Sequence, residues 1–149
     1  MNSLAELLQA SKVSYQLLPY PANITDPTEA AANLGMSAAQ MIKSLVVKVD
    51  NKFVMFLLPL TQRLPLDKLK LSLQVHKVRM AMPDEAWTIT GYKVGTICPF
   101  LLKSEMPIFI DANLLQWNQI AISAGEKGKE LLLSPYDLKT LVNAKILEI

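Results

Sequence analysis

Residues 53–58, Phe-Val-Met-Phe-Leu-Leu, are apolar at every position. Strand side chains point alternately to opposite faces, so this run has no face to give to water. The pattern predicts a central strand covered on both sides, and the rest of the chain must supply that cover. Asp50-Asn51 just before it suits a tight hairpin turn, with residues 46–49 as the partner strand. Carried back along that partner, the alternation sets Lys43 on one face with Leu45, Val47 and Val49. Ile42, Ser44, Val46 and Lys48 take the other face. Lys48 stands where a solvated lysine belongs, whereas Lys43 stands at the mouth of an apolar face.

Helix and strand signals punctuate the rest. Ser3 with Glu6 makes a capping-box pattern for a helix through about residue 10. A strand over 13–18 stops at Pro19 and Pro21. Asp26-Pro27 with Glu29 starts a second helix, closed by Gly35, and Ser37 with Gln40 repeats the capping-box pattern. Residues 65–71 and 83–88 read as helices, with a short strand at 77–80 between them. Strands are predicted near 107–111, 119–123 and 130–133, then a helix opened by Ser134-Pro135. Strands and helices do not alternate regularly. The expected architecture is a single α+β domain over residues 1–149. Its twisted, mostly antiparallel mixed sheet is expected to be barrel-like and surrounded by short helices.

Charge and composition exclude several function classes. Fifteen basic against thirteen acidic residues leave a formal charge of +2, so any nucleic-acid contact must be a local patch. One cysteine excludes an internal disulfide framework and fits a reducing compartment. The N-terminal stretch lacks a basic segment followed by a long apolar one, and reads as mature sequence. The longest apolar run falls far short of the roughly 20 residues that span a bilayer. A soluble cytoplasmic protein without a membrane partner is expected.

His76 has no Cys, Asp or Glu at ligand spacing, and no Walker loop or dinucleotide fingerprint is present. No metal and no cofactor are therefore expected. Cys98 and His76 are the only possible Cys–His pair, and Cys98 beside Pro99 reads as a small packed residue. Two glycine-containing loops remain. Thr-Gly-Tyr-Lys-Val-Gly-Thr-Ile-Cys-Pro-Phe spaces Gly91, Gly95 and Pro99 four apart. Ser-Ala-Gly-Glu-Lys-Gly-Lys-Glu puts Gly125 and Gly128 after a strand, beside Lys127 and Lys129. Glycine lets backbone N–H groups approach a ligand closely, but either loop can also be a plain turn. Lys43 likewise has two readings. It can snorkel to water from a strand end, or it can face donor-rich loops and help form an anion or oxyanion site.

Taken in order, these segments resemble the YbaK-type aminoacyl-tRNA deacylases, relatives of the editing domain inserted in bacterial prolyl-tRNA synthetases. The resemblance covers nearly the whole chain. It rests on Glu29 through Val47 with its Lys43-Ser44-Leu45 strand start, Thr90-Gly91-Tyr92, the Gly95-x-x-x-Pro99 loop, and the closing Ile-Asp-Ala-Asn and Ile-Ser-Ala-Gly segments. It implies that Lys43 holds the terminal adenosine end of the tRNA, and that the Gly95 N–H helps bind the reacting carbonyl. Tyr20, Thr90, Gly91, Thr96, Pro99, Ser123, Ala124 and Gly125 are the substrate-binding positions it implies. Three departures stand out. Glu126 lies where relatives are basic, and Cys98 where serine is common. The segment Asn-Ile-Thr-Asp-Pro-Thr at 23–28, which in the family helps line the amino-acid pocket, is shorter than or different from that of some members and leaves the substrate amino acid open.

The function so implied is hydrolysis, in trans, of the ester of mischarged tRNA. Aminoacyl-tRNA is the expected partner, with an aminoacyl-tRNA synthetase as a further one. The ester is already activated, so positioning, an oxyanion donor and water suffice, which accounts for the missing triad or zinc cluster. The alternative is a non-catalytic module that binds aminoacyl-tRNA or a synthetase.

Overall fold

The computed structural model describes residues 3–149. The apolar run lies in β3 (Lys52–Pro59), antiparallel to β2 (Ile42–Val49), with Val46 opposite Met55 and Lys43 opposite Leu58. Asp50 makes the turn between them at φ +53°. Its carboxylate accepts from the N–H groups of His76 and Lys77 at 3.0 and 2.8 Å. β3 is the middle strand of five, flanked by β2 and β5 (Ile108–Asp111), with β4 (Val78–Met80) and β8 (Lys145–Leu147) outermost. β4, β2 and β3 run antiparallel, whereas β3, β5 and β8 run parallel.

A second, antiparallel sheet has the order β1 (Tyr15–Pro19), β7 (Lys129–Leu133), β6 (Ile120–Ser123). The α+β class is as expected. The single barrel-like sheet is not: there are two open sheets, joined by one parallel bridge from Met41 to Ala121. Closure fails because the outer edge of β2 is paired only towards its ends. β4 takes residues 47–49, Ala81 N–H donates to the Val46 carbonyl, and β6 pairs with this edge only through the Met41 bridge. Residues 42–45 are left as a free edge.

The strand alternation builds two cores. Val47, Val49, Val54, Phe56 and Leu58 pack with Leu69 of α3 (Leu66–Leu73), and Phe56 stacks on Phe109 at 5.4 Å between ring centroids. On the opposite face Ile42, Val46, Met55 and Leu57 join a larger core. Leu8 of α1 (Leu4–Ser11), Ala86 of α4 (Pro83–Thr90) and Leu138 of α5 (Pro135–Leu141) complete it. Phe56 is fully buried, so truncating it to alanine should cost about 3–5 kcal/mol. Lys43, by its place in the alternation, ends the face that packs under α3.

The caps follow the chemistry of their residues. Asp26 accepts from Thr28 N–H at 2.9 Å to open α2 (Pro27–Asn33), and Ser134 accepts from Tyr136 N–H to open α5. Ser37 caps only a single 3-10 turn, Ala38–Gln40, because the Gln40 side chain donates to the Gln119 carbonyl instead of closing a box. Among the described residues, no helix is long and apolar enough to cross a membrane.

Candidate active site

A cavity of about 410 Å³ opens beside the free edge of β2. Lys43 and Ser44 stand on that edge. Tyr20 follows β1, Asp26 caps α2, Gly95 sits in the loop after α4, and Ser123 and Glu130 come from β6 and β7. Ile24, Ala30, Val46 and Ile97 make much of the lining apolar. A concave, mostly apolar space with a few convergent polar groups is the usual form of a small-molecule site.

The two glycine loops are stitched together against this cavity. Thr90 ends α4 with its hydroxyl donating to the Ala86 carbonyl at 2.6 Å and accepting from Tyr92 N–H at 3.0 Å. Gly91 takes the left-handed conformation at φ +82° that lets the chain leave the helix. The Tyr92 hydroxyl donates to the Phe100 carbonyl across the loop. Ser123 Oγ then donates to the Thr96 carbonyl at 3.2 Å and accepts from Gly125 N–H at 3.1 Å. One serine thus ties both loops to the end of β6.

Gly95 has φ +95°, a region that L side chains rarely occupy, and a Cβ there would meet no protein atom within 4 Å. Its backbone requires glycine; its surroundings do not. Among the described residues no group accepts a hydrogen bond from the Gly95 N–H. Gly125 differs, since a Cβ there would fall 2.8 Å from the Tyr92 ring.

Burial sets the electrostatics. The Lys43 ammonium is held below the usual lysine range, first by burial and then by repulsion from Arg63. Burial alone pushes the Glu130 carboxyl up to about 7. Glu130 is only 7% exposed, and its Oε2, like the buried Ser44 Oγ, has no hydrogen-bond partner among the described residues. Burial also raises the Cys98 thiol, which keeps it in its unreactive form. Among the described residues no three His, Cys, Asp or Glu side chains converge as a metal-binding group.

Of the residues singled out in the sequence, the cavity gathers Lys43, Gly95, Tyr20 and Ser123. It does not take in the other six. Thr90, Gly91 and Thr96 shape and anchor the Gly95 loop. Pro99 is buried and lines a groove with Leu101, Met106 and Val142. Ala124 N–H donates to the Lys129 carbonyl, and Gly125 packs against Tyr92. Ser44 and Glu130 on the cavity wall are not among the site residues expected from the sequence, whereas Asp26 belongs to the segment that the resemblance places along the amino-acid pocket. Glu130 stands at the start of a strand, directly after a charged loop, where an acid reads as solvated, so no local signal marks it.

With the geometry in place, residues 21–141 match the family model described as an aminoacyl-tRNA editing domain. The chain belongs to that family. It is similar to the Enterococcus faecalis protein named "Putative Cys-tRNA(Pro)/Cys-tRNA(Cys) deacylase EbsC", with 31% identity over 121 residues, 80% of this chain and 73% of that one. It also matches part of a Staphylococcus saprophyticus proline–tRNA ligase, 31% identical over 110 residues, covering 74% of this chain and 19% of the ligase. A crystal structure described as "a putative trans-editing enzyme for prolyl tRNA synthetase" shares the fold, with TM-score 0.88 over 97% of this chain and 92% of the other. At 24% identity that likeness speaks for the fold alone.

Proposed function

We propose that this editing domain is an aminoacyl-tRNA deacylase, hydrolysing in trans the ester that joins a wrong amino acid to tRNA. The observation that carries this is the meeting of Lys43 and Gly95 on one cavity. The Lys43 ammonium draws the phosphate-bearing terminal adenosine to the β2 edge. The Gly95 N–H, free of other acceptors, donates to the ester carbonyl as charge builds on its oxygen. Water adds to the carbonyl carbon, the bond to the ribose oxygen breaks, and that oxygen leaves as a hydroxyl with one of the water's protons. The products are free amino acid and uncharged tRNA. Such a reaction asks the protein for positioning and one backbone donor, and the buried, neutral Cys98 thiol has no step to perform.

The test is release of labelled amino acid from a panel of mischarged tRNAs by the purified protein. Release from at least one, above the spontaneous rate and diminished in Lys43→Ala, is expected. Tight binding without release from any member of the panel would make the chain a binding module instead.

A further inference from the structure

A buried polar atom without a partner calls for an explanation, because leaving it unmet costs more than an ordinary hydrogen bond gains. Glu130 is the strongest case on the cavity wall: 7% exposed, with Oε2 unpaired. Burial pushes its carboxyl up, and no ion pair joins it to Lys43 or to another described cation. The cavity therefore holds an ammonium on β2 and an uncompensated carboxyl on β7, at separate places.

Position narrows what the carboxyl can meet. Glu130 is the cross-strand neighbour of Ser123, and Ser123 holds the Thr96 carbonyl next to Gly95. Directly opposed strand residues have Cβ atoms roughly 4.5–5.5 Å apart. The carboxyl and the Gly95 loop are thus tied to one strand pair, and Lys43 lines the same cavity from β2, a strand of the other sheet. An aminoacyl ester carries its charges in that order: phosphate beyond the ribose, then the carbonyl, then an ammonium two bonds past the carbonyl carbon.

Resting on the deacylase reading above, we infer that Glu130 anchors the α-ammonium of the aminoacyl group. The site then selects esters whose amine is free. Peptidyl or N-acylated tRNA would bury the carboxyl against an uncharged amide and lose the charge-assisted bond.

The experiment compares an aminoacyl-tRNA that the protein hydrolyses with its N-formyl derivative, in wild type and Glu130→Gln. Wild type should prefer the free amine by roughly 10- to 100-fold in kcat/KM, the range of a hydrogen bond to a charged group. Glu130→Gln should lose about that factor on the free amine and none on the N-formyl ester. Equal hydrolysis of the two esters by wild type overturns the inference, whatever the variant does. An equal loss on both esters in Glu130→Gln overturns it too. If no tRNA is hydrolysed, the deacylase reading fails by itself, and binding of amide-linked 3′-aminoacylamino-adenosine decides the anchor. Tighter wild-type binding of its free-amine form than of its N-formyl form supports the anchor, and equal binding refutes it.

Discussion

Ser123 and Glu130 face each other across β6 and β7, and the same serine holds the Thr96 carbonyl at 3.2 Å. A buried carboxyl and the loop that presents Gly95 are thereby fixed to one strand pair. This pairing makes the candidate site a rigid wall, with Lys43 on the separate edge of β2.

Glu130 should leave a mark on stability against pH. Its folded pKa, about 7, lies above the ordinary carboxyl value of 4.5, so the fold favours the protonated form. Its contribution is full below about pH 4.5 and is lost as pH rises through about 7. The loss is on the order of 3 kcal/mol. Its titratable neighbour Cys98 stays protonated across that window because burial raises it. Glu130→Gln should flatten this part of the stability profile and melt higher than wild type at pH 8. Parallel profiles in denaturant titrations from pH 5 to 8 would contradict the assignment.

Lys43→Ala should lower kcat/KM for deacylation roughly 10- to 100-fold, the scale of one lost ionic hydrogen bond. Stability should change by about 1 kcal/mol or less, since the ammonium is partly desolvated and makes no ion pair among the described residues. Full activity per folded molecule, whether or not the variant is destabilised, would remove Lys43 from the chemistry.

Much of this was legible locally. The period-two alternation in 42–58 yields the hairpin, its two cores and the odd placement of Lys43, because face assignment depends only on neighbours in sequence. The division into two sheets is not local. It depends on how the outer edge of β2 is shared between β4, at residues 47–49, and the single bridge from Met41 to Ala121. Glu130 illustrates the same limit within the site. An acid at the start of a strand reads as solvated, and its burial follows from segments distant in sequence: β7 lies between β1 and β6, with Glu130 opposite Leu18 and Ser123. Gln40 fails as a box residue because the Gln119 carbonyl, far along the chain, competes for its amide.

Cys98→Ser should keep most activity. Removing a true nucleophile costs on the order of 10⁴-fold or more, so the two cases separate cleanly in a turnover assay. Some loss of stability, about 1–3 kcal/mol, is expected from burying a hydroxyl where a thiol packs. Complete inactivity in a folded Cys98→Ser protein would establish a thiol mechanism.

Gly125→Ala and Gly95→Ala make an informative pair. Both glycines have positive φ, +94° and +95°, so each alanine is strained by roughly 1–2 kcal/mol. Only at Gly125 does the new Cβ also meet the Tyr92 ring, at 2.8 Å. Gly125→Ala should therefore be the less stable variant in chemical denaturation. Equal stabilities would mean that Tyr92 yields without cost.

The most direct test of the account is the single-turnover rate of Gly95→Ala, measured beside its affinity for the same mischarged tRNA. A Cβ at Gly95 meets no protein atom, so the fold survives and the substitution acts on the donor that faces the substrate. If the Gly95 N–H stabilises the oxyanion, the rate should fall by on the order of 10²-fold or more. Affinity, set mainly by phosphate contacts, should hold nearly constant. A rate equal to wild type, or a loss of affinity as large as the loss of rate, would contradict the account.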